Sequence, residues 1–231
     1  MRNYWKDVEE ILKQNYLYHL KLDIQLPKEA IKEAQIVYDE KFFVPHRGKK
    51  HKGWQSTCIH GIDGMFFKTM SGKQYGFESD SDKNIRWFYT DVINYAPKTT
   101  EFFQKEIPLK NYRRLRYMLL EPEGFILEHS DAPFGKPYTI PKRESIFSAL
   151  NICITQPKNC VLEHLNNGIV PFKPLEVYLF NNDEYHHAYN NSKENRFHII
   201  AHAEYDYDFA ELFVRSFEKY YEHSITPKQS A

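Results

Sequence analysis

His129 and Asp131 lie two residues apart in a segment, Phe125 to Asp131, whose residue types are typical of a β-strand. Residues two apart on a strand point to the same side, so an imidazole and a carboxylate can be aimed at one point. A second imidazole, from His186 or His187, would complete a set of two histidines and one carboxylate. Such a set occupies three positions around an iron(II) and leaves the others open for substrate and oxygen.

Arg196 lies ten residues beyond His186, on what the pattern indicates is the next strand. Its guanidinium is always charged and presents a planar fork that fits a carboxylate. A tripeptide of the form His-x-Asp is by itself a weak signal, and a lone histidine is more often a core or surface residue. The strand context, the downstream histidines and the arginine together favour a metal site that also binds a carboxylate.

Zinc accepts two histidines and an aspartate with one position left open, so the ligand types alone do not select iron. The alternative is therefore a non-catalytic or other-metal binding module. Arg196 is the residue that separates the two hypotheses, because a structural metal site has no need of a carboxylate-binding arginine so close to its ligand.

Two later strands are predicted to carry one apolar and one polar face. The polar faces comprise Asn151, Cys153 and Thr155 on the first strand and Arg196, His198 and His202 on the second. A face with so many polar groups must meet water or a polar cavity. An exposed sheet surface and a functional site both fit this pattern, and the link to His129 and Asp131 favours the site.

Short predicted strands separated by Gly, Pro and Asn turns run through most of the chain, which is typical of a sandwich, barrel or jelly roll. Glu121-Pro-Glu-Gly124 is predicted to be a turn between two of them. Apolar residues three and four apart predict helices at 5–22, 28–40 and 209–222. The sequence thus predicts a single domain over residues 1–231, with a helical N-terminal cover to about 40, a β core at about 54–205 and a C-terminal helix.

Two loops adjoin these strands. The segment Arg47 to Gly53 is basic and ends in glycine; it is either a solvated loop or a rim that attracts an acidic substrate. Residues 132–143 contain three prolines and one glycine and are predicted to form an irregular lid or entrance loop.

The chain has 231 residues, of which 42% are hydrophobic and 16% aromatic, which argues against disorder. Its 31 basic and 31 acidic residues cancel, so the overall charge does not indicate a nucleic-acid or membrane partner. There is no apolar run long enough to span a bilayer and no signal-peptide core at the start. The three cysteines form no C-x-x-C pair, and we expect a cytoplasmic protein with reduced thiols.

Four separated segments, in the same order, resemble the aspartyl/asparaginyl β-hydroxylase-like family of iron(II)- and 2-oxoglutarate-dependent oxygenases. They are Gly53 to Gly61, Leu120 to Asp131, Val170 to Phe180 and His186 to Arg196. The resemblance covers roughly residues 40–205. It implies a mainly β fold with flanking helices, namely a double-stranded β-helix, which is a cupin-like jelly roll.

By the same resemblance, His129, Asp131 and His186 are the iron-binding and catalytic residues, and Arg196 binds the far carboxylate of 2-oxoglutarate. The family's distal histidine precedes its arginine by ten residues, which selects His186 over His187. Local alternation does not decide between these two neighbours. We therefore expect His186 to bind the metal and His187 to face outward or to make a supporting hydrogen bond.

The implied reaction is hydroxylation of a C–H bond by O2, with 2-oxoglutarate converted to succinate and CO2. Relatives often place Arg and His on the strand that corresponds to residues 148–154, to hold the cosubstrate. Here that strand offers only Ser148 and Asn151. The implied substrate is a peptide or a small molecule, such as a peptidyl Asp or Asn, a free amino acid or a lipid; the sequence does not indicate the oligomeric state.

Overall fold

The computed structural model describes residues 2–47, 50–131 and 146–221. The helices are α1 (Tyr4–Gln14), α2 (Glu29–Asp39), α3 (Pro97–Glu101) and α4 (Tyr207–Tyr220). The strands before the candidate site are β1 (His19–Gln25), β2 (Val44–Pro45), β3 (Lys52–Ile62), β4 (Trp87–Tyr89) and β5 (Leu109–Lys110). The later strands are β6 (Leu115–His129), β7 (Ala149–Cys153), β8 (Cys160–His164), β9 (Gly168–Ile169), β10 (Glu176–Phe180), β11 (His186–Asn190), β12 (Arg196–Ala201) and β13 (Glu204–Tyr205).

The antiparallel strands divide into two halves that share β6. The first half has the order β1-β10-β7-β12-β6, and the second continues from β6 as β11-β8-β9. Along the chain, β7 lies in the first half, β8 and β9 in the second, β10 in the first, β11 in the second and β12 in the first. This repeated alternation winds the chain as a double-stranded β-helix. The predicted fold class, mainly β with flanking helices, is therefore confirmed.

Strand β6 passes from one half to the other without reversing. Its first part pairs with β12 from Leu115 to Leu120, and its last part pairs with β11 from Phe125 to His129. The turn predicted at residues 121–124 is thus wrong. The residues that suggested a turn instead form an irregular crossing point: Glu123 has a φ of 58°, and a Cβ on Gly124 would lie 2.7 Å from a backbone oxygen.

The long N-terminal helix predicted at residues 5–22 is also wrong in its second half. Helix α1 ends at Gln14, and the chain continues as β1, which pairs with the outer edge of β10. Leu20 and Leu22 are fully buried and alternate with partly exposed neighbours. Their spacing of two fits a β-strand as well as the segment's apolar pattern fits a helix. Backbone hydrogen bonds to the edge of the sheet favour the strand.

A large apolar core fills the space between the first half of the β-helix and helices α1, α2 and α4. It includes Leu20, Val37, Leu150, Ile152, Phe197, Ile199, Phe209 and Phe213. Helices α2 and α4 lie close to their predicted positions. The predicted apolar faces of β7 and β12 are buried here, so the opposite faces of the same strands point into the β-helix. No helix within the described residues is long and apolar enough to cross a membrane.

Candidate active site

The structure brings His129, Asp131 and His186 together at the end of β6 and the start of β11. His129 lies directly opposite His186 in the antiparallel ladder, and their ring centroids are 4.4 Å apart. Asp131 follows two residues after His129, just beyond the strand. One ligand atom from each of the three side chains lies within 4.8 Å of the other two. This is the arrangement of side chains needed to hold a single metal ion.

Backbone carbonyls fix the tautomer of both imidazoles. The Nδ1 atom of His129 is 2.8 Å from the carbonyl oxygen of Leu127, and Nδ1 of His186 is 2.7 Å from that of Glu184. A carbonyl oxygen can only accept, so Nδ1 carries the proton and donates it. Each Nε2 therefore presents a lone pair toward the shared position, as a metal ligand must.

The protonation states at neutral pH suit the same role. Burial, reinforced by the neighbouring His129, lowers the pKa of His186 to about 4, so its imidazole is neutral. For Asp131, burial alone would raise the pKa. The nearby His186, Arg47 and His129 outweigh that effect, and the pKa of this carboxyl is held below its usual value. The Asp131 side chain is therefore an ionised carboxylate.

A β-bulge sets the side of the sheet on which His129 emerges. Between the paired positions His129–His186 and Ile126–Ala188, β6 has one more residue than β11. Ile126 lines the same cavity as His129. Strict alternation from Ile126 would place Glu128, not His129, on the cavity side. The extra residue in β6 changes the alternation, and Glu128 is exposed.

The triad opens into a cavity enclosed by the two halves of the β-helix. Its lining includes His129, Asp131, His186, Asn151, Arg196, His198, Arg116, Phe180 and Leu162. Polar groups from β6, β7, β11 and β12 thus meet an apolar wall from β8 and β10. A cavity in which converging polar groups face an apolar wall can bind and orient a small molecule.

Arg196 is 4% exposed and lies in this cavity. Its Nε donates to Oε1 of Gln156 at 3.4 Å, and Nη2 is 3.3 Å from Nδ1 of His198. The guanidinium carbon also lies 5.7 Å from the centre of the Phe172 ring. No carboxylate of residues 2–47, 50–131 and 146–221 forms an ion pair with it. A buried cation is costly unless it is paired, so Arg196 provides a position for an anion.

His198 completes the surroundings of Arg196. Because its Nδ1 faces the Arg196 guanidinium, which can only donate, its proton is carried by Nε2. Burial, with the charge of Arg196, holds the pKa of this imidazole well below its ordinary value. Nε2 is buried and has no hydrogen-bond partner among the described residues. It is therefore an unused donor beside the position for an anion.

The two residues predicted to assist cosubstrate binding are separated by the structure. Asn151 is buried and lines the same cavity as Arg196. Ser148 is exposed and lines a neighbouring cleft, where its backbone carbonyl accepts a hydrogen bond from Nδ1 of His202. The sequence pattern places His198 on the polar face of its strand but indicates no role for it. Its position two residues beyond Arg196 is the signal that could have indicated one.

His187 is directed away from the triad. Its Nε2 lies 3.5 Å from a carboxylate oxygen of Glu163 on β8, and its ring stacks on Tyr189. These contacts are compatible with His186 as the ligand, and that assignment stays a prediction. The predicted lid at 132–143, and Gly48 and Lys49 of the basic loop, lie outside the described residues.

No family model matches this chain, and no curated protein matches it in sequence. Solved structures with a similar fold include a prolyl hydroxylase from Trichoplax adhaerens in complex with a hypoxia inducible factor oxygen degradation domain peptide fragment. It is 10% identical, with a TM-score of 0.47 over 90% of this chain and 93% of that chain. A Pseudomonas putida prolyl-4-hydroxylase is 11% identical, with a TM-score of 0.45 over 87% and 98% of the two chains.

A third similar structure is an oxidoreductase of the 2OG-Fe(II) oxygenase family from Burkholderia pseudomallei. It is 10% identical, with a TM-score of 0.46 over 86% of this chain and 88% of that chain. None of the three is described as an aspartyl/asparaginyl β-hydroxylase. At identities this low, similarity concerns the fold alone, so the chemistry of this chain has to be inferred from its own residues.

Proposed function

We propose that this protein is an iron(II)- and 2-oxoglutarate-dependent dioxygenase that hydroxylates a peptide or small-molecule substrate. One observation carries the proposal. The buried guanidinium of Arg196, which has no carboxylate partner in the described part of the chain, lies in the same cavity as a group of two histidines and one aspartate. A metal-binding triad alone fits many proteins; a triad with a buried position for an anion fits a keto-acid cosubstrate.

The donor set suits a divalent metal of borderline hardness. His129 and His186 each offer Nε2, and Asp131 offers a carboxylate oxygen. Three protein ligands leave coordination positions open for other molecules. When bound there, iron(II) with 2-oxoglutarate and O2 would supply the oxidation of a C–H bond, with formation of succinate and CO2.

The chain's own residues bind and orient the cosubstrate. Arg196 pairs with the carboxylate of 2-oxoglutarate that is distant from the metal, through a charge-assisted and directional contact. The free Nε2–H of His198 donates to the same carboxylate, and Asn151 supplies a polar group on the adjacent strand. A rigid sheet carries all three, which holds the cosubstrate in one orientation relative to the triad.

Apolar side chains exclude water from this end of the cavity. Phe172 lies against both Arg196 and His198, and Leu162 and Phe180 form part of the wall. Exclusion of water strengthens the contact between guanidinium and carboxylate. It also protects a reactive oxidant from side reactions. The apolar wall therefore serves both cosubstrate binding and containment of the reaction.

Resemblance to the aspartyl/asparaginyl β-hydroxylase-like family supports a peptidyl Asp or Asn as one candidate substrate. The balanced charge of the chain supports a partner that is neither nucleic acid nor membrane. We further propose a cytoplasmic location, from the cysteine pattern, and a single domain over residues 1–231, since most of the chain is taken up by one β-helix and the helices packed on it.

The alternative is a zinc-binding or metal-free cupin-type binding protein, because zinc accepts the same ligands. Anaerobic titration with iron(II) and 2-oxoglutarate distinguishes the two. The dioxygenase should develop a visible metal-to-ligand band and, after addition of oxygen and ascorbate, release succinate slowly even without its substrate. Zinc(II), which has no redox chemistry, serves as the control. His129→Ala should abolish both signals, and unchanged succinate release by that variant would contradict the proposal.

A further inference from the structure

A second cleft of ≈ 530 Å³ adjoins the triad. Asp131, Arg116 and Arg47 line both this cleft and the cavity that contains Arg196, so the two spaces meet at the candidate metal position. The cleft also contains Arg114. Three arginines thus surround one opening next to the triad, and the proposed reaction assigns none of them a role.

Two of the three arginines are paired with carboxylates. Nη2 of Arg114 lies 2.5 Å from Oδ2 of Asp80, and Nη2 of Arg47 lies 3.1 Å from Oδ1 of Asp131. Arg116 forms no ion pair with any carboxylate in the described ranges. The cleft therefore contains one guanidinium whose charge is not balanced by a direct partner.

Arg116 makes two hydrogen bonds within the protein and keeps unused donors. It is 6% exposed; Nη1 donates to the carbonyl oxygen of Thr69 at 2.7 Å, and Nη2 is 3.3 Å from Nε2 of His202. His202 donates from Nδ1 to the Ser148 carbonyl at 3.1 Å, so its Nε2 accepts and the ring brings no negative charge. The Nε of Arg116 is buried and has no partner among the described residues.

A structural brace between Thr69 and His202 would not require an arginine, because a neutral donor could make both contacts. A buried guanidinium without a counter-ion is costly, whereas a bound anion would balance its charge. The contacts already made by Arg116 leave three of its five N–H donors for a ligand. The residue has the features of an anion-binding position.

We propose that Arg116 binds a carboxylate of the substrate in this cleft, while Arg196 binds the cosubstrate. The inference rests on the proposed function for the identity of these two ligands. A singly charged carboxylate fits better than a dianionic phosphate, because one guanidinium is unpaired and Asp131 and Asp183 also line the cleft. The two arginines lie on neighbouring strands, with Arg116 opposite Ile200 and Arg196 opposite Leu120, and therefore occupy separate positions.

Binding of a small carboxylate tests this without turnover. The full chain, loaded with zinc(II) and saturating 2-oxoglutarate, is titrated with benzoate, with its neutral counterpart benzamide and with phenyl phosphate, and binding is followed by ligand-observed NMR. Benzoate should bind, benzamide should not, and Arg116→Gln should weaken benzoate binding about tenfold or more, as expected for loss of a charge-assisted pair. Arg215→Gln, an exposed arginine on α4, is the matched control and should bind benzoate as the wild type does.

Arg116→Gln also removes buried contacts, so a second variant leaves Arg116 intact. Ser148→Asp places a carboxylate at the exposed edge of the cleft, where it should compete with the probe and weaken benzoate binding. Equal benzoate affinity in the wild type and both variants would overturn the proposal. Binding of phenyl phosphate but not benzoate would overturn the choice of a carboxylate.

A separate titration with 2-oxoglutarate distinguishes failure of this proposal from failure of the proposed function. If Arg116→Gln weakened binding of 2-oxoglutarate while Arg196→Gln did not, Arg116 would be the cosubstrate's residue and this inference would be wrong, with the oxygenase proposal intact. If neither zinc(II) nor 2-oxoglutarate bound the wild type, the proposed function would fail instead. Titration of the metal-free protein with benzoate would then still test whether Arg116 binds an anion.

Discussion

Each candidate metal-binding histidine is oriented by a carbonyl only two residues before it in the chain. Leu127 holds His129 in this way, and Glu184 holds His186. The tautomer is therefore a property of short local segments, although the site joins distant parts of the sequence. Arg196 differs, because strands and side chains from several other segments bury it. The free-energy cost of burying its charge therefore depends on those segments.

Replacement of Arg196 tests its role most directly. Arg196→Ala should weaken 2-oxoglutarate binding by about 2–5 kcal/mol, as for loss of one partner of a buried charge pair, or roughly 30-fold to several-thousand-fold. Iron(II) binding should remain nearly unchanged, because Arg196 is not a ligand. Arg196→Lys should recover only part of the affinity, since lysine lacks the planar fork. Calorimetric titration with each ligand measures both effects.

Lys193→Ala, an exposed lysine in the turn before β12, is a suitable control and should bind 2-oxoglutarate as the wild type does. Loss of iron(II) with retained affinity for 2-oxoglutarate in Arg196→Ala would reverse the roles assigned to this arginine and the triad.

The adjacent histidines provide a matched pair of variants. His186→Ala should lose stoichiometric iron(II) and succinate release together, because only His129 and Asp131 remain as ligands. His187→Ala removes a partly exposed contact with Glu163, which should change stability by less than about 1 kcal/mol and leave the metal bound. Metal analysis after gel filtration distinguishes them. Retention of metal by His186→Ala and loss by His187→Ala would overturn the assignment.

At the scale of single elements, hydrophobic alternation correctly indicates the two faces of β7 and β12, because their inner and outer surroundings differ sharply. It does not reveal the bulge in β6, since one extra residue leaves no mark in residue types. It also cannot decide the state of residues 15–22, where Leu20 and Leu22 suit both a helix and a strand. In both places pairing with a distant strand determines the outcome.

A buried carboxylate on α2 fixes the start of α3. Glu33 is 6% exposed and accepts hydrogen bonds from the backbone N–H groups of Lys98 and Thr99, both at 2.8 Å, and from the Thr99 hydroxyl at 2.7 Å. Glu33→Ala should lower the free energy of unfolding by about 2–4 kcal/mol, because these donors lose their partner in a buried position. Urea denaturation measures the change.

Lys32→Ala alters the exposed neighbour on the same helix and should stay within about 0.5 kcal/mol of the wild type. A loss of stability no greater in Glu33→Ala than in Lys32→Ala would mean that α3 does not depend on this contact.

For the whole molecule, the β-helix brings together residues that are far apart in sequence. The spacing of His129 and Asp131 predicts that these two share a side, and the family resemblance selects His186 over His187 and assigns 2-oxoglutarate to Arg196. Neither source indicates Arg116, whose significance depends on its lack of a carboxylate partner among the residues that the structure describes. To recognise that an arginine is unpaired, one must know the positions of the carboxylates around it. The hydrophobic pattern and the spacing of motifs do not contain those positions.

Binding of a metal to the triad should stabilise the fold as a whole, because the ligands come from both β6 and β11. At a free metal concentration 100 times Kd, the free energy of unfolding should increase by about 2.7 kcal/mol. For a chain of this size that corresponds to a rise in Tm of about 5–10 °C. Differential scanning calorimetry with zinc(II), and again after chelation with EDTA, measures it. His129→Ala should show no such rise, and the absence of a rise in the wild type would argue against a metal site.

The register of β6 against β12 also fixes the offset between Arg116 and Arg196 along the sheet. Arg116 and Arg196 are attached to adjacent strands with an offset of four residues, which is about 13 Å along a strand. Backbone hydrogen bonds fix that offset, so it does not adapt to the reactants. If both arginines bind anions as proposed, the carbon presented to the metal is determined by its number of bonds from the substrate's carboxylate. Regioselectivity would then be set by distance from the carboxylate, and a substrate extended by one methylene would still be oxidised at the same number of bonds from its charged end.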